Sequence, residues 1–133
     1  MLRRTLFLLL SFVFSSLFLN VALDVSAKEK KGEITFQKDS YDFGSFSKVT
    51  IRRVVFVFTN TGNAPVVIQS TSTACTCTGV SYSKKPVMPG KKGYITVYYN
   101  GNKADAGHFL KTVDVRSNAS NSIVRLTIEG EAQ

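Results

Sequence analysis

From Gly32 onward apolar side chains recur at every second position, turn residues arrive about every ten positions, and no stretch shows the three-and-four spacing of a helix. This pattern predicts an all-β chain. The clearest strand is "IRRVVFVFTN", Ile51 to Asn60, rich in β-branched and aromatic residues and closed by the turn "NTGNAP". Phe56 and Phe58 share one face of it and Val55 and Val57 the other, so both faces are expected to be partly covered. "VVIQST" follows from Val66. In "YITVYYN" the residues Ile95, Val97 and Tyr99 lie on one side and Tyr94, Thr96 and Tyr98 on the other, as in a strand with one core face. "HFLKTVDVRSN" and "SIVRLTIEGEA" repeat the pattern, with Val113, Val115, Val124, Leu126 and Ile128 as core candidates. "EITFQ" and "YDFGSF" are weaker strands ahead of them.

About seven short strands in roughly 100 residues predict an immunoglobulin-like antiparallel β-sandwich. The chain has no tryptophan, and its two cysteines, Cys75 and Cys77, are too close in sequence to bridge two sheets. Its core is therefore expected to rest on aromatic and aliphatic packing. Burying Phe56, Phe58 and Phe109 supplies on the order of 1.5–3 kcal/mol each.

The N-terminus breaks the alternation. Arg3 and Arg4 precede an apolar run from Leu6 to about Leu19, and Val25-Ser26-Ala27 supplies small residues at the exit. This is the order of a secretory signal peptide, residues 1–27, cleaved after Ala27. The competing reading is a retained membrane anchor, but Ser15, Ser16 and Asn20 interrupt a run already short for a span of roughly 20 residues. Cleavage leaves no stable transmembrane span and 106 of the 133 residues, enough for one domain. Residues 28–39 are expected to form a charged linker, starting with "KEKKG", and residues 40–133 the sandwich. The formal charge of +8 falls only to about +7 with the leader removed. Export takes nucleic acid away as a partner. An envelope or surface protein, anionic lipid or an anionic surface polymer then remain to meet a basic surface.

Several phrases taken in order resemble the bacterial DUF1573 family, a domain of unknown function related to Hydin-, ASH- and major-sperm-protein-type immunoglobulin-like modules. They are Phe-x-Phe-x-Asn-Thr-Gly at Phe56, Phe58, Asn60 and Gly62, Cys-x-Cys-Thr at Cys75 to Thr78, and Pro89-Gly90 before a strand. Gly107 to Lys111 and the turn Ser117-Asn118 complete the set. The resemblance runs from about Ser40 to the end, with Thr76 standing where the family often has glycine between the cysteines. It implies an exported immunoglobulin-like fold and carries no assigned activity, and its bacterial setting leaves the sequon-like "NAS" at Asn118 without a glycan.

Chemistry is sparse. In an extended strand the thiols of Cys75 and Cys77 would lie on one face about 6.6 Å apart, at the edge of what a disulfide tolerates. Three readings stand for the pair: packing, a redox-active disulfide, or two thiolates for a soft ion such as Cu(I). For copper the further ligand-type residues are His108, Met88 and Met1, and zinc would want a second cysteine pair that the chain lacks. Asp39, Asp42, Asp105 and Asp114 are scattered and form no catalytic pair. Lys84, Lys85, Lys91 and Lys92 surround Pro86, Pro89 and Gly90 in one stiff connection, either a compact positive patch or charges that keep a long loop solvated. The expectation is a non-enzymatic module without cofactor, periplasmic or extracellular, that binds or helps assemble components of the bacterial cell envelope. The alternative is a thiol redox or copper-binding protein using Cys75 and Cys77.

Overall fold

The computed structural model describes residues 26–133, so the expected signal peptide lies outside the described residues apart from Ser26 and Ala27. Eight strands follow one another: β1 (Ile34–Phe36), β2 (Ser40–Phe46), β3 (Ile51–Asn60), β4 (Ile68–Ser72), β5 (Thr78–Tyr82), β6 (Lys92–Asn100), β7 (Gly107–Ser117) and β8 (Ile123–Ala132). They form two four-stranded sheets, ordered β1-β3-β6-β5 and β2-β8-β7-β4. The all-β immunoglobulin-like sandwich is as the alternation predicts, with two differences. The eighth strand is β5, whose sequence "TGVSY" is too short and too polar to stand out. The second sheet is mixed rather than antiparallel, because the chain changes sheets between Phe36 and Ser40 and β2 then runs parallel to β8.

The folded unit also begins before the expected boundary at residue 40. β1 falls inside the supposed linker 28–39 and pairs with the end of β3, Ile34 opposite Asn60 and Phe36 opposite Phe58. Even Lys31 is tied down, its N–H donating to Asn63 Oδ1 at 2.8 Å and its carbonyl accepting from Asn63 N.

The inner faces close on one another through large apolar side chains. Phe58, Ile95, Val97, Tyr99, Val115 and Leu126 are fully buried, and Phe56 and Phe109 nearly so. Tyr99 stacks on Phe109 with ring centroids 3.8 Å apart, and Phe46 meets both edge-on at 6.1 and 5.9 Å, the geometry that aromatic quadrupoles favour for a T-shaped pair. Val124, a core candidate, is only half-buried near the start of β8.

Among the described residues, Asn60 places a side-chain amide in this interior without exposure. Its amide nitrogen donates to the carbonyls of Ala64 (2.8 Å) and Val87 (2.9 Å). Its amide oxygen accepts from the N–H groups of Gly62 (3.0 Å) and Glu33 (3.3 Å). The end of β3, the turn after it, the entry to β1 and the loop before β6 are thus joined through one residue. Gly62 is required by crowding, since a Cβ there would collide with the Lys31 carbonyl and the Glu33 amide. Pro89 and Gly90 occupy the central positions of a type II turn, closed by Lys91 N–H to Met88 O at 3.0 Å, with Gly90 at φ +77° as that turn requires.

Asn60→Ala would leave the Ala64 carbonyl and the N–H groups of Gly62 and Glu33 without their partner, and Val87 O with only its bond from Val66 N–H. It is expected to lower stability by about 3 kcal/mol or more, read from the urea midpoint. Tyr99 carries a buried hydroxyl with no hydrogen-bond partner, so Tyr99→Phe keeps the ring stack and is expected to leave stability equal or higher. Burial pushes the Tyr99 phenol above its ordinary 10.0. The folded state then holds the proton more tightly than the unfolded one: below pH 10 the group adds no pH dependence, and above it stability falls as pH rises through the raised value. Urea titrations at alkaline pH should show this limb flattened in Tyr99→Phe.

Candidate functional site

The cysteine pair lies on the connection by which the chain crosses from the β4 sheet to the β5 sheet. The segment is not extended. It turns at Thr76 and Cys77, with Thr78 N–H donating to Cys75 O at 3.2 Å, and the turn draws the two Cα atoms to 5.1 Å, well inside the disulfide range. Cys75 and Cys77 are joined. The Cys77 N–H points at Cys75 Sγ (3.1 Å), Thr78 Oγ1 lies 3.7 Å from Cys77 Sγ, and Asn100 N–H donates to Cys77 O at 2.8 Å. Cys77 is buried, while Cys75 is half-buried beside Thr73, Leu110 and Lys111 at a shallow surface depression. The bond therefore clamps the crossover against the end of β6.

The other ligand-type side chains are elsewhere. Met88 is exposed beside the Pro89-Gly90 turn, at the end of the sandwich opposite the cysteines. His108 is exposed on β7, with Nε2 4.0 Å from Glu129 Oε2. Met1 is outside the described residues. Sulfurs joined to one another present no thiolate to Cu(I), and among the described residues no group of three or more His, Cys, Asp or Glu side chains is placed to hold a metal ion. Asp114 is committed to Arg125 through two bonds of 2.7 and 3.0 Å, and that hydrogen bonding holds its carboxyl below the usual range. Asp42 accepts from Gly44 N–H, and the Asp39 carbonyl accepts from Thr127 N–H.

Lys84, Lys85, Lys91 and Lys92 are all exposed, and the loop joining β5 to β6 gathers them at one end of the sandwich. The Lys84 ammonium stands 3.7 Å over the Tyr82 ring. The loop is held at its far side by Asn60 N–H to Lys91 O (2.9 Å) and Gly90 N–H to Asn60 O (2.7 Å).

Sequence reasoning passed over a second surface. The outer face of β3 and β6 exposes Ile51, Val55 and Tyr94, each by 43% or more, with Arg53 exposed between Ile51 and Val55 and Lys92 exposed beyond Tyr94. The register sets Arg53 opposite Tyr98, Val55 opposite Thr96 and Val57 opposite Tyr94. The signal was present: the outward positions of Ile51 to Asn60 are as apolar as the inward ones.

Comparison with known proteins returns a family and a fold. The family model described as "Protein of unknown function (DUF1573)" matches residues 34–132. No curated protein matches the chain. A protein of unknown function from Porphyromonas gingivalis W83 superposes with TM-score 0.69 at 13% identity, over 77% of this chain and 47% of its own. The ASH/PapD-like domain 7 of human CEP192 gives TM-score 0.63 at 10% identity, over 80% of this chain and 89% of its own. The Vibrio cholerae VesB protease gives TM-score 0.59 at 11% identity, over 77% of this chain and 32% of its own. The chain thus spans about half of the Porphyromonas protein and about a third of the Vibrio one. At these identities the likeness shows the fold alone.

Closing so small a loop constrains the unfolded chain by about 1–2 kcal/mol. The purified chain is expected to weigh two hydrogens less than its reduced form and to resist alkylation until reduced. The double change Cys75→Ser with Cys77→Ser should lower the melting temperature by several degrees in calorimetry.

Proposed function

Because the chain belongs to the DUF1573 family, a kinship that brings a fold and no assigned chemistry, we propose that it is an exported, non-enzymatic immunoglobulin-like module that binds or helps assemble components of the bacterial cell envelope. Its partner is a surface or envelope protein, or an anionic surface polymer, met without nucleic acid or cofactor. The observation that carries this reading is the outer face of β3 and β6. It places exposed Ile51, Val55 and Tyr94 with Arg53 and Lys92 on the flat of a rigid sheet. A row of exposed apolar side chains with Arg53 between two of them and Lys92 at its end suits contact with another surface better than contact with water. The net charge, +8 for the whole chain and about +7 without the leader, favours an acidic partner at long range. The leader-like order of Arg3 to Ala27 supports export.

The test is photo-cross-linking in the native host with a photoreactive side chain at Val55 or Tyr94 and a control at exposed Asn102, on the far turn. The expected outcome is a discrete adduct in the envelope fraction from the first two and none from the control, with the purified chain beginning at Lys28. A chain recovered in the cytoplasm, or equal labelling from all three positions, would overturn the reading.

A further inference from the structure

The register of β3 leaves half of that strand without a neighbour. Just ahead of β6, Asn60 N–H donates to Lys91 O and Asn60 O accepts from Gly90 N–H. Antiparallel alternation then turns the backbone groups of the even residues toward β6 and those of Ile51, Arg53 and Val55 the other way. On that other side β1 covers only Phe58 to Asn60, and Gln37 N–H makes the last contact, to Val57 O at 3.2 Å. There the chain leaves for the second sheet. Among the described residues no strand lies against Ile51, Arg53 and Val55.

The other sheet edges are blunted in the ways natural edges are. β2 carries a register shift between Asp42 and Ser45, with Gly44 at positive φ. β4 carries one between Ile68 and Ser70. β5 is five residues long, with Gly79 and Ser81 at its centre, and β1 is three. The β3 edge is regular through all nine of its pairs with β6. Beside it, where the departing chain opens a notch between β3 and the start of β2, lies a cavity of about 250 Å³ lined by Lys38, Tyr41, Val54, Val55 and Phe56 among others.

The geometry points to strand addition: an extended peptide of a partner protein, carrying a carboxylate between two apolar residues, pairs with β3 over Ile51–Val55. This rests on the binding role proposed above and names its surface and ligand. Main-chain bonds to the three outward-turned residues supply the affinity, and alternate side chains supply the choice of partner. On the outer face the peptide's acid lies opposite Arg53 and its apolar neighbours lie opposite Ile51 and Val55. The intervening side chains enter the notch cavity. Charge selects against the alternative occupant. Two copies of this chain pairing edge to edge about Arg53 would set Arg53 against Arg53 of the second copy, and like charges directly opposite are destabilising. Arg53 and Lys38 flank the edge with no carboxylate among the cavity's lining, and Asp39 lines the neighbouring pocket on the Val124 side.

The experiment uses the isotope-labelled chain as its host processes it, with two capped peptides, Thr-Val-Thr-Glu-Thr-Val-Thr and its counterpart with lysine in place of glutamate. Saturating acidic peptide is expected to slow amide exchange at Ile51, Arg53 and Val55 at least tenfold, leaving Arg52 and Val54 as they were. Arg53→Glu, a change at an exposed position, should weaken the acidic peptide at least tenfold and reverse the preference, with the melting temperature unchanged. Equal binding of the two peptides, or edge amides unprotected by either, overturns the assignment. So does protection that grows with chain concentration alone, which would mean a second copy, or protection by dextran sulfate equal to that by the peptide, which would mean a polyanion. Host cross-links at Tyr94 with unprotected edge amides would sink strand addition and leave the envelope role standing. Edge protection by the acidic peptide without any host cross-link would do the reverse.

Discussion

Four hydrogen bonds from one side-chain amide hold the architecture in register. Asn60 is placed where β3 runs out, and its amide answers the Ala64 carbonyl and the N–H groups of Gly62 and Glu33, and adds a second bond to the Val87 carbonyl, which Val66 N–H already meets. Such a group, shielded from water and left alone, costs as much as a lost hydrogen bond. Asparagine suits the task because it presents two donors and an acceptor with two lone pairs in one plane. The turn "NTG", the short β1 and the loop with Pro89 and Gly90 are consequences of meeting that demand. So is Gly62, since the amide draws the chain around it until there is no room for a side chain.

Alternation made β3 legible to its last residue, and it sorted the faces of β6 and β7 correctly. Ile95, Val97, Tyr99, Val113 and Val115 are buried as that pattern requires. β5 was missed because Thr78, Gly79 and Ser81 give no apolar beat. Its strand character comes from the neighbour it pairs with, and a pattern read along one chain segment does not contain its neighbour. The same reason hid the parallel placement of β2. Its direction is set by where the chain crosses between sheets, and nothing in "SYDFGSF" records that.

The candidate chemistry divides in the same way. The spacing of Cys75 and Cys77 named the pair, but the extended geometry assumed for it put the thiols at the edge of disulfide range and left a bond as one of three readings. The turn at Thr76, between two strands of different sheets, brings them well within bonding range. The four lysines were readable as a group because one loop carries them. The exposed edge of β3 was not readable at all, since an edge is a property of what fails to lie beside a strand.

The sheet change after β1 also gives the molecule a polarity. The chain enters the sandwich at Ile34, beside Asn60 and the lysine-bearing loop, and ends at the other extremity, where Gln133 N–H donates to Phe46 O and Lys48 N–H to Gln133 O. The ten residues of β3 put about 30 Å between the two. Anything that holds the segment before Ile34 therefore faces the cationic loop at close quarters, and presents the clamped crossover outward like the tip of a short mast.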